Sequence, residues 1–128
     1  MKLLLDTHVF IWWTSEPEKL SSKVIDLCED STNSLILSVA SIWEIQIKLQ
    51  LGEIKLYTPL RDLIESQQRI NNVKILPIEL EHVLALENLP DYHNDPFDRL
   101  LIAQANAENT FLVTKDSVFA EYPVKLIW

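Results

Sequence analysis

Four acids in this chain stand where a fold can gather them. In "HNDPFDRLLIAQA", residues 93 to 105, Asp95 and Asp98 lie three apart across Pro96 and run straight into an apolar helical pattern. Asp6 ends the apolar run "KLLLD", Asp116 follows "FLVTK", and Glu44 sits in "ASIWEIQIKLQLG", just after the run "SLILSV". Carboxylates that converge from separate segments repel one another unless cations neutralise them. Mg²⁺ or Mn²⁺ suits such a set, because it prefers oxygen ligands and keeps waters that can be activated for in-line attack on a phosphodiester. Asp6, Glu44, Asp98 and Asp116 therefore predict metal-assisted phosphodiester hydrolysis, provided the fold brings them to one place.

Each acid also has a purely structural reading. Asp95 can cap a helix with Pro96 in its first position, and Asp98 at the third can complement the helix dipole. Glu44 can be the third-position glutamate of a capping box begun by Ser41 in "SIWE". Asp6 can cap a helix over "HVFIWW", and Asp116 can open the turn "KDS". Against these, the spacing of Asp98 to Leu101, Ile102 and Ala105 puts it at the head of a core-facing stripe. Glu44, read on a helix, shares a stripe with Ala40, Ile47 and Leu51, and a charge on an apolar stripe needs a reason.

The rest of the composition leaves carboxylates as the available chemistry. A single glycine, Gly52, cannot build a Walker loop or a dinucleotide fingerprint, both of which need several glycines to bring backbone N–H groups close to phosphate. His8, His82 and His93 have no metalloprotease spacing and look incidental, and no G-x-S-x-G elbow is present. The lone Cys28 can form neither an internal disulfide nor a thiolate zinc cage, and in "VIDLCED" it reads as filler of a helix face.

The elements that must position the acids read as alternating short apolar runs and helical segments, the pattern of a parallel sheet covered by helices. Strands are predicted at "KLLLD", "SLILSV", "VKILPI", "TFLVTKD" and, as a final edge, "VKLIW". Helices are predicted at "SSKVIDLCED", opened by Ser21 or Ser22, at "TPLRDLIESQQRI", at "ELEHVLALENL" and at "DPFDRLLIAQANAEN". Residues 45 to 51, "IQIKLQL", alternate strictly as a strand would, yet Gly52 at the end of the longer segment suits a helix, and periodicity leaves both open. A parallel sheet would place Asp6, Asp98 and Asp116 along its carboxyl edge, where open α/β sheets bind ligands. At 128 residues, with 48% hydrophobic and 23% charged residues and no linker or repeat, residues 1–128 are expected to form one domain around one core. No apolar run is long enough for a bilayer span or a signal peptide, so a cytoplasmic protein without membrane contact is expected.

The motifs "LLLDTHVFIWW", "SVASIWEIQIKLQLGEIKL", "HNDPFDRLLIAQA" and "LVTKDSVFAEYPVKLIW" together resemble, end to end, the PIN-domain nucleases and within them the VapC-like toxins of bacterial toxin–antitoxin pairs. "DPFDRLLIAQA" is the most specific of the four. The resemblance implies a PIN-like three-layer α/β/α sandwich with a central, mainly parallel sheet. It also implies Mg²⁺- or Mn²⁺-dependent ribonuclease activity and a cognate antitoxin that covers the site. It assigns Asp6, Glu44, Asp98 and Asp116 to the catalytic acidic cluster, with Asp6 and Asp98 foremost as metal ligands and Asp116 beside them. It favours helix for residues 45 to 51.

Around the acids, Thr7 and Thr114 are candidates to hold the cluster from behind, although a strand-end threonine also has structural uses. Arg99 and Lys115 flank two of the acids and are candidates for contact with an RNA backbone, or else plain surface charges. A net charge of −8 argues against broad electrostatic binding of nucleic acid, so recognition of the RNA is expected to be local. Aromatic residues in "VFIWW" and "SIWE" suggest a homodimer that seats an antitoxin segment in an apolar groove. Two other classes compete: a receiver-like Mg²⁺-binding signalling module built on Asp6, Asp116 and Lys115, and an inactive PIN scaffold that only binds. The first lacks an acid at the ends of "SLILSV" and "VKILPI"; the second sits badly with intact acids at all four positions.

Overall fold

A computed structural model describes residues 1–128. Five strands, β1 (Lys2–Leu5), β2 (Ser34–Ser38), β3 (Lys74–Leu76), β4 (Phe111–Val113) and β5 (Leu126–Ile127), form one sheet in the order β3-β2-β1-β4-β5. Every neighbouring pair is parallel, so the sheet is parallel throughout rather than mainly so. Six helices connect and cover it: α1 (Thr7–Ser15), α2 (Ser22–Glu29), α3 (Val39–Gln50), α4 (Leu60–Ile70), α5 (Leu80–Ala85) and α6 (Pro96–Ala107). None is long and apolar enough to cross a membrane.

The strands are apolar on both faces, and their two-residue period sorts side chains between two cores. Leu3, Leu5, Leu35, Leu37 and Val113 face Val9 and Phe10 of α1, Val24 and Cys28 of α2 and Ile45 of α3. Leu4, Ile36 and Leu112 face the other way, against Leu101, Ile102 and Ala105 of α6 with Phe119 and Tyr122. The result is a three-layer α/β/α sandwich. Cys28 fills the α2 face as expected, and burial pushes its thiol up to about 11, which keeps it an inert thiol at neutral pH.

Residues 45 to 51 are helix, and both ends of α3 show why the alternating pattern loses. Ser38, the last residue of β2, caps the helix by accepting the Ala40 N–H at 3.0 Å. At the other end Gly52, at φ +73°, donates to the Leu49 carbonyl while Glu53 donates to the Lys48 carbonyl at 2.9 Å. That paired closure is a Schellman ending, which needs a residue able to adopt the left-handed conformation. The capping box expected from Ser41 to Glu44 does not form, because the helix begins three residues earlier and Ser41 lies inside it. The buried stripe also differs from the predicted one: Ala40, Ser41, Glu44 and Ile45 are covered, while Leu51 is 67% exposed.

A buried polar chain ties three helices together. Gln104 of α6 accepts a hydrogen bond from the Ser38 hydroxyl at 2.5 Å and donates to the Pro77 carbonyl at 3.3 Å. Its amide also lies 3.3 Å from His82 Nδ1 on α5, a nitrogen that accepts the Glu79 N–H at 3.0 Å. His82 is therefore structural rather than incidental: it is 1% exposed and its other nitrogen meets Glu108 at 3.2 Å. Ser38 thus serves the α3 cap and the Gln104 carbonyl at once. Ser38→Ala should cost about 2 kcal/mol, since it removes a cap and leaves a buried amide oxygen unpaired. Urea denaturation checks this, and a midpoint within error of the wild type would show that the chain holds without that hydroxyl.

Candidate metal centre

The sheet order puts the acids at a topological switch point. β1 is the central strand, its neighbour β2 follows it in sequence, and its other neighbour β4 arrives only after α6, so connections leave β1 and β4 toward opposite faces. The crevice at their carboxyl ends is the place where such sheets accept ligands. Asp6 closes β1 there, 5% exposed, with its backbone N–H donating to the Val113 carbonyl of β4 at 3.0 Å. It occupies the N-cap position of α1 without capping it through its side chain. Instead its Oδ2 accepts the Thr114 hydroxyl at 2.8 Å, and the same hydroxyl oxygen accepts the Asp116 N–H at 3.1 Å. Thr114 is therefore the link that sets Asp6 against the β4 loop. Thr7, the other candidate hydroxyl, donates to Ser41 at 2.9 Å and so locks α1 to α3 rather than reaching an acid.

Asp98 comes to the same edge from α6. Asp95 caps that helix by accepting the Phe97 and Asp98 N–H groups at 2.9 and 3.1 Å, and Pro96 takes the first helical position. The division of labour frees the Asp98 side chain, whose Oδ2 lies 2.9 Å from His93 Nε2. His93 is the partner that sequence reasoning missed; its place five residues before Asp98 and two before Asp95 was the available signal. His93, Asp95 and Asp98 are also the one group of three metal-binding residue types whose candidate atoms all lie within 4.8 Å of one another. Asp6, Asp98 and Asp116 are not drawn that close. Glu44 completes the inner set from α3, 8% exposed, with Lys48 Nζ 3.3 Å from its Oε2.

Burial governs the electrostatics more than repulsion does. Loss of water pushes the Asp98 carboxyl from its ordinary 3.8 up to about 7; His93 opposes the rise, while Asp95, Asp6 and Glu44 add to it. Burial likewise raises Asp6, opposed by the Thr114 bond, by His8 and by the Thr7 N–H, with Glu44 adding to the rise. Asp6, Glu44 and Asp98 therefore feel one another's charge, as a convergent cluster must.

Asp116 is the outlying acid. It is exposed, and its Oδ1 accepts the Val118 N–H at 3.0 Å, so its turn-forming reading is realised in the fold. It still faces Asp6 across an open depression of about 250 Å³, shared with His8, Trp12 and Lys115. A larger depression of about 810 Å³, lined by Asn33, Ser34 and Lys74 among others, lies at the amino ends of β2 and β3, opposite the acids. Lys115 is exposed beside Asp116, with its ammonium 6.0 Å from the Trp12 ring centre. Arg99 is differently placed: its guanidinium donates to the Pro90 carbonyl at 2.8 Å, the Leu86 carbonyl at 3.5 Å and the Tyr122 hydroxyl at 3.4 Å. Those contacts pin the segment leading into α6 and leave a phosphate to compete for the same donors.

The raised Asp98 carboxyl makes a stability prediction. The folded state holds this proton more tightly than the unfolded chain, so metal-free stability should fall as pH rises from about 4 through about 7. Asp98→Asn removes the titration at nearly constant shape. In EDTA at pH 8 it should melt at the wild-type temperature or above, with a flatter profile between those pH values. A variant that melts lower at pH 8 would identify Asp98 as a plain dipole-complementing residue.

Comparison with known proteins places the fold. The PIN domain family model matches residues 3–125. A curated relative, "Ribonuclease VapC22" of Mycobacterium tuberculosis, is 30% identical over 115 residues, which cover 89% of this chain and 86% of that protein. Among solved structures, VapBC2 from Rickettsia felis bound to a promoter DNA fragment superimposes with a TM-score of 0.75 at 18% identity, covering 99% of this chain and 98% of that one. DNA-bound VapBC from Salmonella typhimurium gives a TM-score of 0.68 at 17% identity, covering 99% and 97%. With a family match over nearly its whole length and the fold to go with it, the chain belongs to the PIN domain family.

Proposed function

We propose that this chain is a divalent-metal-dependent endoribonuclease, the toxin of a toxin–antitoxin pair, with residues 1–128 acting as one unit on RNA in the cytoplasm. The observation that carries the reading is the meeting of Asp6, Glu44 and Asp98 in cover at the carboxyl edge of the sheet, with Asp6 and Asp98 both raised by burial. Family membership and the similarity to a protein named as a ribonuclease support the reaction class.

The donor set fits a hard cation. The converging groups are carboxylate oxygens, with one imidazole at the margin, and burial makes their charges costly, so an ion bound among them relieves that cost. Asp6 and Asp98 would hold it, with Asp116 reaching in from the loop and Glu44 supporting from α3. Oxygen donors suit Mg²⁺ first and Mn²⁺ second. A bound divalent ion would polarise the scissile phosphate and lower the pKa of an attacking water. Thr114 keeps Asp6 oriented, and Lys115 stands beside Asp116 as a candidate contact to the RNA backbone. Water attacking in line with the departing 3′ oxygen leaves a 5′-phosphate and a 3′-hydroxyl.

Labelled RNA incubated with the purified protein should be cut in Mg²⁺ or Mn²⁺ and left intact in EDTA. Asp6→Asn or Asp98→Asn should slow cleavage by about a hundredfold or more, the scale of losing one group that stabilises a transition state. Cleavage that persists in EDTA, or products ending in 2′,3′-cyclic phosphate, would overturn the mechanism.

The partner reading rests on a second observation. A further structure of similar fold, with a TM-score of 0.61 at 14% identity, is a toxin–antitoxin complex from Klebsiella pneumoniae by name, and it shares that fold with the two VapBC assemblies. In this chain Ile42 of α3 with Leu60 and Ile64 of α4 forms the apolar part of a groove of about 380 Å³, and Trp43, the next residue of α3, is 58% exposed, its ring against Phe97 of α6. An antitoxin segment with apolar side chains in that groove and basic ones toward the acids would match both surfaces. Light scattering should give a dimer that binds the antitoxin segment, with Trp43→Ala weakening it. A monomer indifferent to that substitution would remove the proposal.

A further inference from the structure

An acidic site that takes a polyanion needs a cation other than its metal to face the phosphate, and the two sequence candidates are placed unevenly. Arg99 is engaged by two backbone carbonyls and a tyrosine hydroxyl, and Lys115 is exposed over Trp12. Lys48 is paired directly with one of the acids. It lies one helical turn beyond Glu44 on α3, its side chain 24% exposed, its ammonium 3.3 Å from a carboxylate that is itself 10% exposed.

This is not an ordinary surface pair. A solvated glutamate–lysine pair at this spacing adds little to helix stability, whereas here both side chains are drawn largely out of water, which costs more. The ammonium has three N–H donors, and Glu44 is its one acidic partner. Donors thus remain for an oxygen that enters beside Glu44. Net charge adds to the need, because a chain at −8 cannot collect RNA by its general field and must hold each phosphate by a local cation. Two lesser roles compete: Lys48 is in the last turn of α3, where a cation complements the helix dipole, and it also stands as counter-charge to Glu44.

We propose that Lys48 is a substrate-binding residue that grips a non-bridging phosphate oxygen of the RNA while Glu44 holds its ammonium at the mouth of the site. The proposal deepens the ribonuclease reading and rests on it. Glu44 then positions the lysine from the buried side, which explains a carboxylate on a covered stripe.

The test measures RNA binding apart from cleavage. Fluorescence anisotropy with a labelled single-stranded RNA in Mg²⁺, using the Asp98→Asn background to prevent turnover, is run from low to moderate salt with Lys48 intact or changed to Met, Gln or Arg. Mg²⁺ affinity is measured by calorimetry on Lys48 variants with Asp98 retained. Lys48→Met should weaken RNA binding about tenfold or more and make the slope of log affinity against log salt shallower by about 0.7, the value for one lost contact to a single strand. Lys48→Arg should recover most of the affinity, Lys48→Gln little, and Mg²⁺ affinity should hold or tighten. Unchanged RNA affinity and slope would overturn the proposal, as would a Mg²⁺ affinity that falls in step with RNA binding, the mark of a lysine that merely orients Glu44. RNA held through Lys48 but never cut by the wild type would sink the nuclease reading and leave the lysine's role standing. A wild type with no RNA affinity would sink both.

Discussion

Asp6 is a carboxyl group almost fully covered at the end of the central strand, where burial raises its pKa, and the fold must keep it there close to Glu44 and Asp98. Water would normally solvate such groups, and none of the usual substitutes is complete. Thr114 supplies one hydrogen bond to Asp6, His93 one to Asp98, and Lys48 one opposite charge to Glu44. Each acid thus has a single side-chain partner. The arrangement tolerates the crowding while leaving carboxylate oxygens available, and a cation bound among them would relieve the cost of their burial.

That constraint explains where the molecule invests its buried polar contacts. α3 and α6 carry Glu44 and Asp98, and the hydrogen bond from Ser38 to Gln104 joins the start of one to the middle of the other. Thr7 and Ser41 join α1 to α3 in the same way. Hydrogen bonds of this kind are buried and directional, so they fix helix positions more narrowly than apolar packing alone. Both lie at the carboxyl edge, where small shifts of a helix would open or close the acidic cluster. The remote ends of the same helices are held by simpler means, such as Gly52 after α3.

The charge balance gives the site its selectivity. With so acidic a chain, the long-range field works against any polyanion, so under the ribonuclease reading a substrate phosphate would have to find its counter-charges within the site. A partner with basic side chains, in contrast, gains from the same field over most of the surface. On the proposed reading, a polyanionic substrate would depend on a few local cations, whereas a basic partner could use the net negative charge together with the groove lined by Ile42, Leu60 and Ile64.

Much of this was legible in the chain itself. The apolar runs and caps identified every strand and, α3 apart, the helices from Ser22 onward, because a strand covered on both faces and a helix opened by Ser21 or by Asp95 and Pro96 carry local signals of their own. The approach of Asp6 and Asp98 to one edge followed from their places at a strand end and a helix start. What the chain left open was whatever depended on contacts between distant segments. Alternation at residues 45 to 51 could not choose between strand and helix until Ser38 and Gly52 closed the two ends. The roles of Arg99, Thr7 and His93 turned on which carbonyl, hydroxyl or carboxylate lay within reach. Backbone preference acts over a few neighbours and is written residue by residue, whereas a side chain's partner is chosen by whatever the packed core brings beside it, and only the tertiary structure decides that.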